Sequence, residues 1–417
     1  MRSLLALLAV ATLALSLAGC TTSNPAADLP EPDGDGFQDA LFTGAPDQGS
    51  PAGQASAHGE PQRDDGTVET GMTPPLQLPG LFWARRTITI ANDFGGASLG
   101  HVFAGVDAGA ITVETADADG YSIEVVVQAQ GLTEQDARDG LDRVEVTHTD
   151  TLEADGLHLS TVAKQRDPAS PLPLVVVDGD FAWAEMHIVL PAAPAYELGA
   201  DTSYGEISVT GLRGPSLRLT TSSGGISVAD VNAGTLEAET SSGDIDLDTV
   251  QASDLTASAS SGHVTGQTVR AGKAMVDTSS GDIDLQGAFD TLEADASSGG
   301  ITLDAHARHS GAYKLSTSSG NVDATLLTGA GRAYHVKAAA DSGEVTVDLD
   351  GSGSGQGGRD RGDATGGHAD VVSDGFDSAP IQTIVDVETS SGDITVTGSG
   401  ADAGTGADAG SDGGSET

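Results

Sequence analysis

Thr240-Ser241-Ser242-Gly243-Asp244-Ile245-Asp246-Leu247 is written again, residue for residue, from Thr278 to Leu285, and Thr389 to Val396 is a near copy. Looser versions carry their glycine at Gly205, Gly224, Gly262, Gly299, Gly320 and Gly343, which with Gly243, Gly281 and Gly392 makes nine copies. The first seven steps between glycines are 19, 19, 19, 19, 18, 21 and 23 residues. A fixed period of this size means one structural unit stacked on copies of itself, so the chain reads as a solenoid.

Aligning the copies on their glycine shows that the unit is β. Two residues after it stand Ile207, Ile226, Ile245, Val264, Ile283, Ile301, Val322, Val345 and Ile394. Seven residues before it stand Leu198, Leu217, Leu236, Leu255, Ala274, Leu292, Tyr313, Val336 and Val385. Apolar residues fall at every second position on both sides of the turn, which is strand periodicity. Each repeat reads as strand, Ser-Ser-Gly turn, strand, second turn, stacked in parallel register about 4.8 Å apart. At the turn, glycine is expected to supply positive φ and the serines to bond turn amides. The expected fold class is all-β: a parallel β-helix or solenoid of about nine short coils of about 19 residues each, with an irregular N-terminal cap.

Outward positions carry a second pattern. The residue after each glycine runs Glu206, Gly225, Asp244, His263, Asp282, Gly300, Asn321, Glu344, Asp393, and acids alternate with other residues until the last step. Two positions on, the series Ser208, Ser227, Asp246, Thr265, Asp284, Thr302, Asp323, Thr346, Thr395 again stacks no two carboxylates. Like charges facing each other on neighbouring strands are destabilising, so this spacing lets a surface be very acidic without a column of carboxylates.

Acidity dominates the composition: 417 residues, 62 acidic against 18 basic, net charge −44. Such a surface repels nucleic acid and anionic lipid. Acid excess with four lysines resembles proteins of salt-loving organisms. Residues 1–20 read as a secretory signal, with Arg2, an apolar run from Leu4 to Ala18 and a small-residue cleavage site. Leu17-Ala18-Gly19-Cys20 resembles the bacterial lipobox, which implies lipidation of Cys20, the single cysteine of the chain. Thr21 in place of Asp tilts the expected address toward an outer membrane. Residues 21–80 read as a disordered tether of about 40 Å root-mean-square span, and 399–417 as a disordered acidic tail. A loop inserted at 350–379 accounts for the 49 residues between Gly343 and Gly392 within a repeat region of 199–398.

Residues 81–198 alternate less regularly and read as a β-rich cap with the first irregular coils. One helix is expected at Glu134 to Leu141, opened by Thr133 and Asp136 as a capping pair. Phe82, Trp83, Phe181 and Trp183 are expected to plug this end, since an open solenoid exposes its core and strand edges.

The repeated Thr-Ser-Ser-Gly-Asp-Ile-Asp-Leu, preceded by the strand end Ile188-Val189-Leu190-Pro191, resembles the putative-adhesin domain family of unknown function. That family is similar to the β-helical head domains called autotransporter adhesin-like. The resemblance spans roughly 85–398. It implies a β-solenoid and an adhesin-like role, and it brings no active-site residues.

Chemistry-bearing residues are few. Asp244, Asp246, Asp282 and Asp284 recur in register, so the repeat accounts for them without catalysis, with only His263 and Arg270 near a matching position. They are weak cation candidates, since the calcium-binding nonapeptide is missing and alternate residues on one strand stand about 7 Å apart. His306 and His309 flank a turn without a third ligand for zinc, and Arg361-Gly362-Asp363 spells a cell-attachment tripeptide inside a glycine-rich loop. No cofactor signature and no Ser-His-Asp, nucleotide-loop or thiol-nucleophile pattern occurs. The expected function is a lipid-anchored envelope module of structural or adhesin-like kind, without catalysis and with an unknown protein or surface partner. Cation or cationic-partner binding through the acidic face is the alternative, and a polysaccharide-active β-helix enzyme comes third.

Overall fold

The computed structural model describes residues 60–72, 81–166, 181–329, 331–349, 367–373 and 375–400, all within one compact unit, Ala52–Thr417. The expected signal segment 1–20 with Cys20, and the Arg361–Asp363 tripeptide, lie outside the described residues.

The coil Ile226–Ser242 shows how the repeat folds. Ile226 and Val228 point inward, the alternation slips at Asp230, Val231 and Ala233 point inward, it slips again at Gly234, and Leu236, Ala238 and Thr240 follow. The inward residues form three groups, so the coil has three sides where the repeat alone suggests two strands. The middle side is only two inward residues long, too short to show as a period. At the first slip Asp230, Thr249 and Thr268 hold left-handed φ of 54°, 55° and 56°, at the corner where the preceding coil has Gly211. The 18-residue step arises here: the register shifts between Gly266 and Val269 because the next coil omits the corner residue.

Neighbouring coils pair in parallel, in the register of the repeat. Ile207, Ile226, Ile245, Val264, Ile283 and Ile301 form one ladder, and Leu198, Leu217, Leu236, Leu255, Ala274 and Leu292 another. Both are buried to 2% exposure or less. The Ile ladder starts one coil earlier than expected, at Ile111 in the strand Ile111–Ala116. Its turn glycine is Gly109, so ten glycines line one corner.

Glycine is required at that corner by stacking more than by φ, which is near extended in several copies (157° at Gly205, 158° at Gly281). A Cβ on any of the nine later glycines would stand 1.8–2.0 Å from the carbonyl oxygen of the stacked glycine. The serines are exposed and contribute their main chain: Gly224 N donates to Ser242 O at 3.0 Å. The side-chain bond comes from the residue before them, with Thr202, Thr221, Thr240, Thr278, Thr317 and Thr389 each donating to a stacked glycine carbonyl at 2.9–3.1 Å.

The stack does not follow chain order at its far end. Ile381–Ser391 pairs in parallel with both Gly311–Ser319 and Arg332–Ser342, and Ile394–Gly400 with both Val322–Thr328 and Val345–Asp348. The last coil in sequence therefore lies between the two that precede it. Gly367–Val372, inside the expected loop 350–379, runs antiparallel along Arg332–Ser342 and covers the outer edge. Every coil carries the same glycine and apolar positions and so is register-compatible with every other, which is why the repeat cannot reveal this order.

At the near end, Ile111–Ala116 pairs with Phe181–Pro191, followed by Gly120–Gly131 and Phe82–Asp93 in antiparallel order. Gln62–Asp64 and Glu69–Met72 add two short edge strands, within the stretch expected as tether. They are polar and held by main-chain bonds, which leaves no apolar period to read. On another side, Leu99–Ala108 carries Leu157–Gln165 in parallel, edged by antiparallel Val144–Leu152. The helix Glu134–Leu141 has the expected cap: Asp136 N donates to Thr133 Oγ1 at 3.1 Å and Thr133 N to Asp136 Oδ2 at 2.9 Å. Its Ala137, Gly140 and Leu141 are buried, and a methyl on Gly140 would lie 2.8 Å from Ala129 Cβ.

That helix closes the end, in place of the expected aromatic plug. Phe82 packs on the core, but Trp83 and Trp183 are half-buried and alternate with the core residues Ala84, Ala182 and Ala184. The Phe181 side chain lies outside the described ones.

Candidate functional site

The acids that follow the turn glycine have a structural task. Asp244 Oδ1 accepts from His263 N at 2.8 Å, His263 Nδ1 from Asp282 N at 3.0 Å, and Asp282 Oδ1 from Gly300 N at 2.7 Å. Further along, Asn321 Oδ1 accepts from Asp393 N at 2.9 Å and Asp393 Oδ1 from Glu344 N at 2.8 Å. The column thus selects hydrogen-bond acceptors that cap the amide of the next coil, a reason beyond charge spacing. Because the last coil is intercalated, Asp393 and Glu344 are neighbours in this column.

Asp246 and Asp284 sit on the adjoining exposed row with Thr265 between them, two strand spacings or about 10 Å apart. Asp244, Asp246, Asp282 and Asp284 are therefore not gathered around one point. His309 pairs with Asp290 at 2.9 Å. His306 is pushed to lower pKa by burial and then by Arg332.

Two polar clusters lie elsewhere. Where Gly367–Val372 crosses the last coils, Lys337, His368, Asp370, Asp386 and Glu388 rim a cleft of about 250 Å³ with Ala338, Ala369 and Val387 along it. In the cap, Asp150, Tyr121, His148 and Thr161 form a chain with contacts of 2.5, 3.2 and 2.8 Å. Thr161 is 1% exposed and joins His148 across the hairpin, while the Tyr121 hydroxyl ties that hairpin to the cap through Asp150 and His148. Burial holds His148 below the ordinary imidazole pKa, Asp150 opposes that, and Arg63 adds to it.

The third cluster is the one the repeat conceals. Glu197, His101 and His158 lie side by side on three adjacent parallel strands. The two imidazoles stack with centroids 4.3 Å apart and planes 14° from parallel. His101 Nδ1 is 2.8 Å from Glu197 Oε2, while Asp155, in the turn before His158, faces both rings. Its Oδ1 is 3.0 Å from His158 Nε2 and its Oδ2 3.8 Å from His101 Nε2. The hydrogen bond from His158 holds the Asp155 carboxyl below its usual pKa. Among the described residues, His101, Asp155 and His158 are the one group of three such side chains with donor atoms mutually within 4.8 Å.

Sequence reading passes over this group because its members come from a coil without the Ser-Ser signature and from a hairpin outside the repeat. One signal was present: Gly109-Ala110-Ile111-Thr112-Val113, with Val102 seven residues before the glycine, fits the repeat and puts His101 beside Glu197. Nothing in the spacing locates His158.

These features define a β-solenoid with a helix-closed β cap. More particularly, the chain belongs to the Toastrack DUF4097 family, which it matches over residues 106–397, in agreement with the adhesin-like resemblance of its repeat. It is similar to the solved structure of a putative cell adhesion protein from Clostridium sporogenes (9% identity, TM-score 0.17, covering 80% of this chain and 99% of that one). It is also similar to a putative adhesin from Bacteroides fragilis (12%, TM-score 0.30, 75% and 97%). A third similar structure is a putative lipid binding protein from Parabacteroides distasonis (14%, TM-score 0.39, 74% and 96%). No curated protein matches. Among the described residues no helix is long and apolar enough to cross a membrane.

Proposed function

We propose that the chain is a lipid-anchored cell-envelope solenoid, held at Cys20, probing its surroundings as a structural or adhesin-like interaction module without catalytic activity. The observation that supports this reading is the glycine corner. Ten stacked glycines with main-chain carbonyls in the way of any side chain fix the coils at one spacing, so outward rows are rigid and periodic. A rigid periodic face suits recognition of an extended partner, because little side-chain or loop entropy is lost on contact. The carboxylates of Asp244 and Asp282 serve as amide caps, which leaves the enzyme reading last.

One observation favours the cationic-partner reading as second. The row Asp246, Thr265, Asp284, Thr302, Asp323 presents a carboxylate every second coil, about 10 Å apart, a spacing for a polycation rather than for one ion. The test displays the full chain on cells beside Cys20→Ser and an Asp246→Asn, Asp284→Asn, Asp323→Asn variant. Cys20→Ser is expected to release the protein from the membrane fraction and abolish attachment, while the Asn variant attaches normally. Attachment lost only in the Asn variant favours the cationic partner, and membrane retention of Cys20→Ser refutes the anchor.

A further inference from the structure

We propose that His101, His158 and Asp155 form a binding site for one divalent transition-metal ion of the zinc class, with Glu197 orienting His101. The distances fit. Two ligand atoms on one tetrahedral zinc, each about 2.0–2.1 Å from it, stand about 3.3 Å apart. The donor atoms lie within 4.8 Å of one another, with Asp155 Oδ1 3.0 Å from His158 Nε2 and Oδ2 3.8 Å from His101 Nε2. Because the two rings are stacked 14° from parallel, binding requires the His158 ring to turn out of the stack so that both Nε2 lone pairs and the Asp155 carboxylate meet at one centre.

The hydrogen bonding selects a metal-ready tautomer of His101, while at His158 the ion takes the place of the Nε2 proton shared with Asp155. With Nδ1–H of His101 donating to Glu197 Oε2 at 2.8 Å, the neutral ring turns the lone pair of Nε2 toward Asp155. A carboxylate on the far nitrogen of a ligating histidine is also the usual outer-shell partner that fixes ring orientation and raises basicity.

The site is built into the fold. His101 and Glu197 are fixed by adjacent solenoid coils, and His158 stands in register beside His101. The His101 and His158 side chains are 12% and 21% exposed, against 63% for Asp155, so two ligands are held in the surface and the third comes from a turn open to water. Two imidazoles and one carboxylate suit zinc and its neighbours rather than calcium, which takes six to eight oxygens. Three protein ligands leave a fourth position for water or a partner's side chain. A bound ion would staple the Val144–Gln165 hairpin to the first coil, at the point where the cap departs from the stack.

The experiment titrates zinc chloride into the metal-stripped full chain by calorimetry, with a thermal melt at each metal level. One zinc per chain, saturable in excess calcium and accompanied by a rise in melting temperature, is the expected result. Asp155→Asn and His158→Gln are expected to weaken binding at least about 100-fold, and Glu197→Gln about tenfold. Asp244→Asn with Asp282→Asn leaves the affinity unchanged. If His158→Gln does not fold, exposed Asp155→Asn carries the test alone. Absence of saturable binding, displacement by calcium, or undiminished affinity in Asp155→Asn overturns the proposal.

Discussion

Adjacent glycines in one corner give a sharp test of what holds the coils at their spacing. A Cβ on Gly224 would stand 1.9 Å from Gly205 O and 2.4 Å from its carbonyl carbon, whereas a Cβ on Gly225 meets nothing closer than Asp244 O at 3.3 Å. Ordinary contact begins at 3.4 Å, so Gly224→Ala must part the two coils locally by about 1.5 Å. That opening breaks Gly205 N to Ser223 O (3.0 Å), Ile207 N to Gly225 O (3.0 Å) and Thr221 Oγ1 to Gly205 O (3.1 Å). Three hydrogen bonds at about 1 kcal/mol each come to about 3 kcal/mol, less about 0.4–1 kcal/mol gained because alanine restricts the unfolded chain. Gly224→Ala is therefore expected to cost about 2–3 kcal/mol and Gly225→Ala to change stability by under about 1 kcal/mol. Both are read by urea unfolding followed by far-ultraviolet circular dichroism. Coils flank Gly224 on both sides, so fraying from an end does not relieve the clash. Unfolding midpoints that coincide for the two variants would refute the stacking argument and return the glycine's role to backbone conformation.

Thr240→Val keeps the shape of a 5%-exposed side chain but loses its bond to Gly224 O (3.0 Å), and is expected to cost about 1 kcal/mol in the same assay. Thr249→Gly relieves a β-branched residue at φ 55° and is expected to raise stability by up to about 1 kcal/mol; a loss would show that the corner is not strained. His148 has a depressed folded pKa, so the unfolded chain binds its proton first as pH falls. Its contribution is present above the unfolded pKa of about 6.5 and is lost as pH drops through that value toward the folded one; His148→Gln should flatten the fall in melting temperature between pH 7 and pH 5. With net charge −44, the domain is expected to melt higher in 2 M salt than in 0.1 M, as the Debye length shrinks from about 10 Å toward about 2–3 Å, and equal melting would remove the self-repulsion argument.

The central coils were legible because their signal is a period, and a period survives averaging over nine copies. Ile207, Leu217 and their equivalents had to face one core whatever their partners, so burial and register followed from spacing alone. The helix at Glu134 was legible for a local reason, since Thr133 and Asp136 satisfy each other's amides without tertiary help. What escaped depended on the third dimension. The glycine requirement comes from an atom 19 residues away, the carbonyl of Gly205 over Gly224. The functional cluster escaped because Glu197, His101 and His158 are neighbours only across strands. The edge strands at Gln62–Asp64 and Glu69–Met72 escaped because main-chain bonding leaves no trace in residue type.

The intercalated last coil places a demand on the order of assembly. A chain emerging from its N-terminus presents Arg332–Asp348 before Ile381–Gly400 exists, and its glycine, apolar ladder and turn serine match the exposed face of Gly311–Thr328. Premature docking there would use the same register and bury the same kind of core, yet it would occupy the berth of the final coil. Completing the molecule requires that this first partnership be avoided or undone, so the C-terminal residues decide which of two nearly equivalent stacks is reached. A chain cut short after Asp348 would lack the means to correct itself, and its end coil would settle one layer too low.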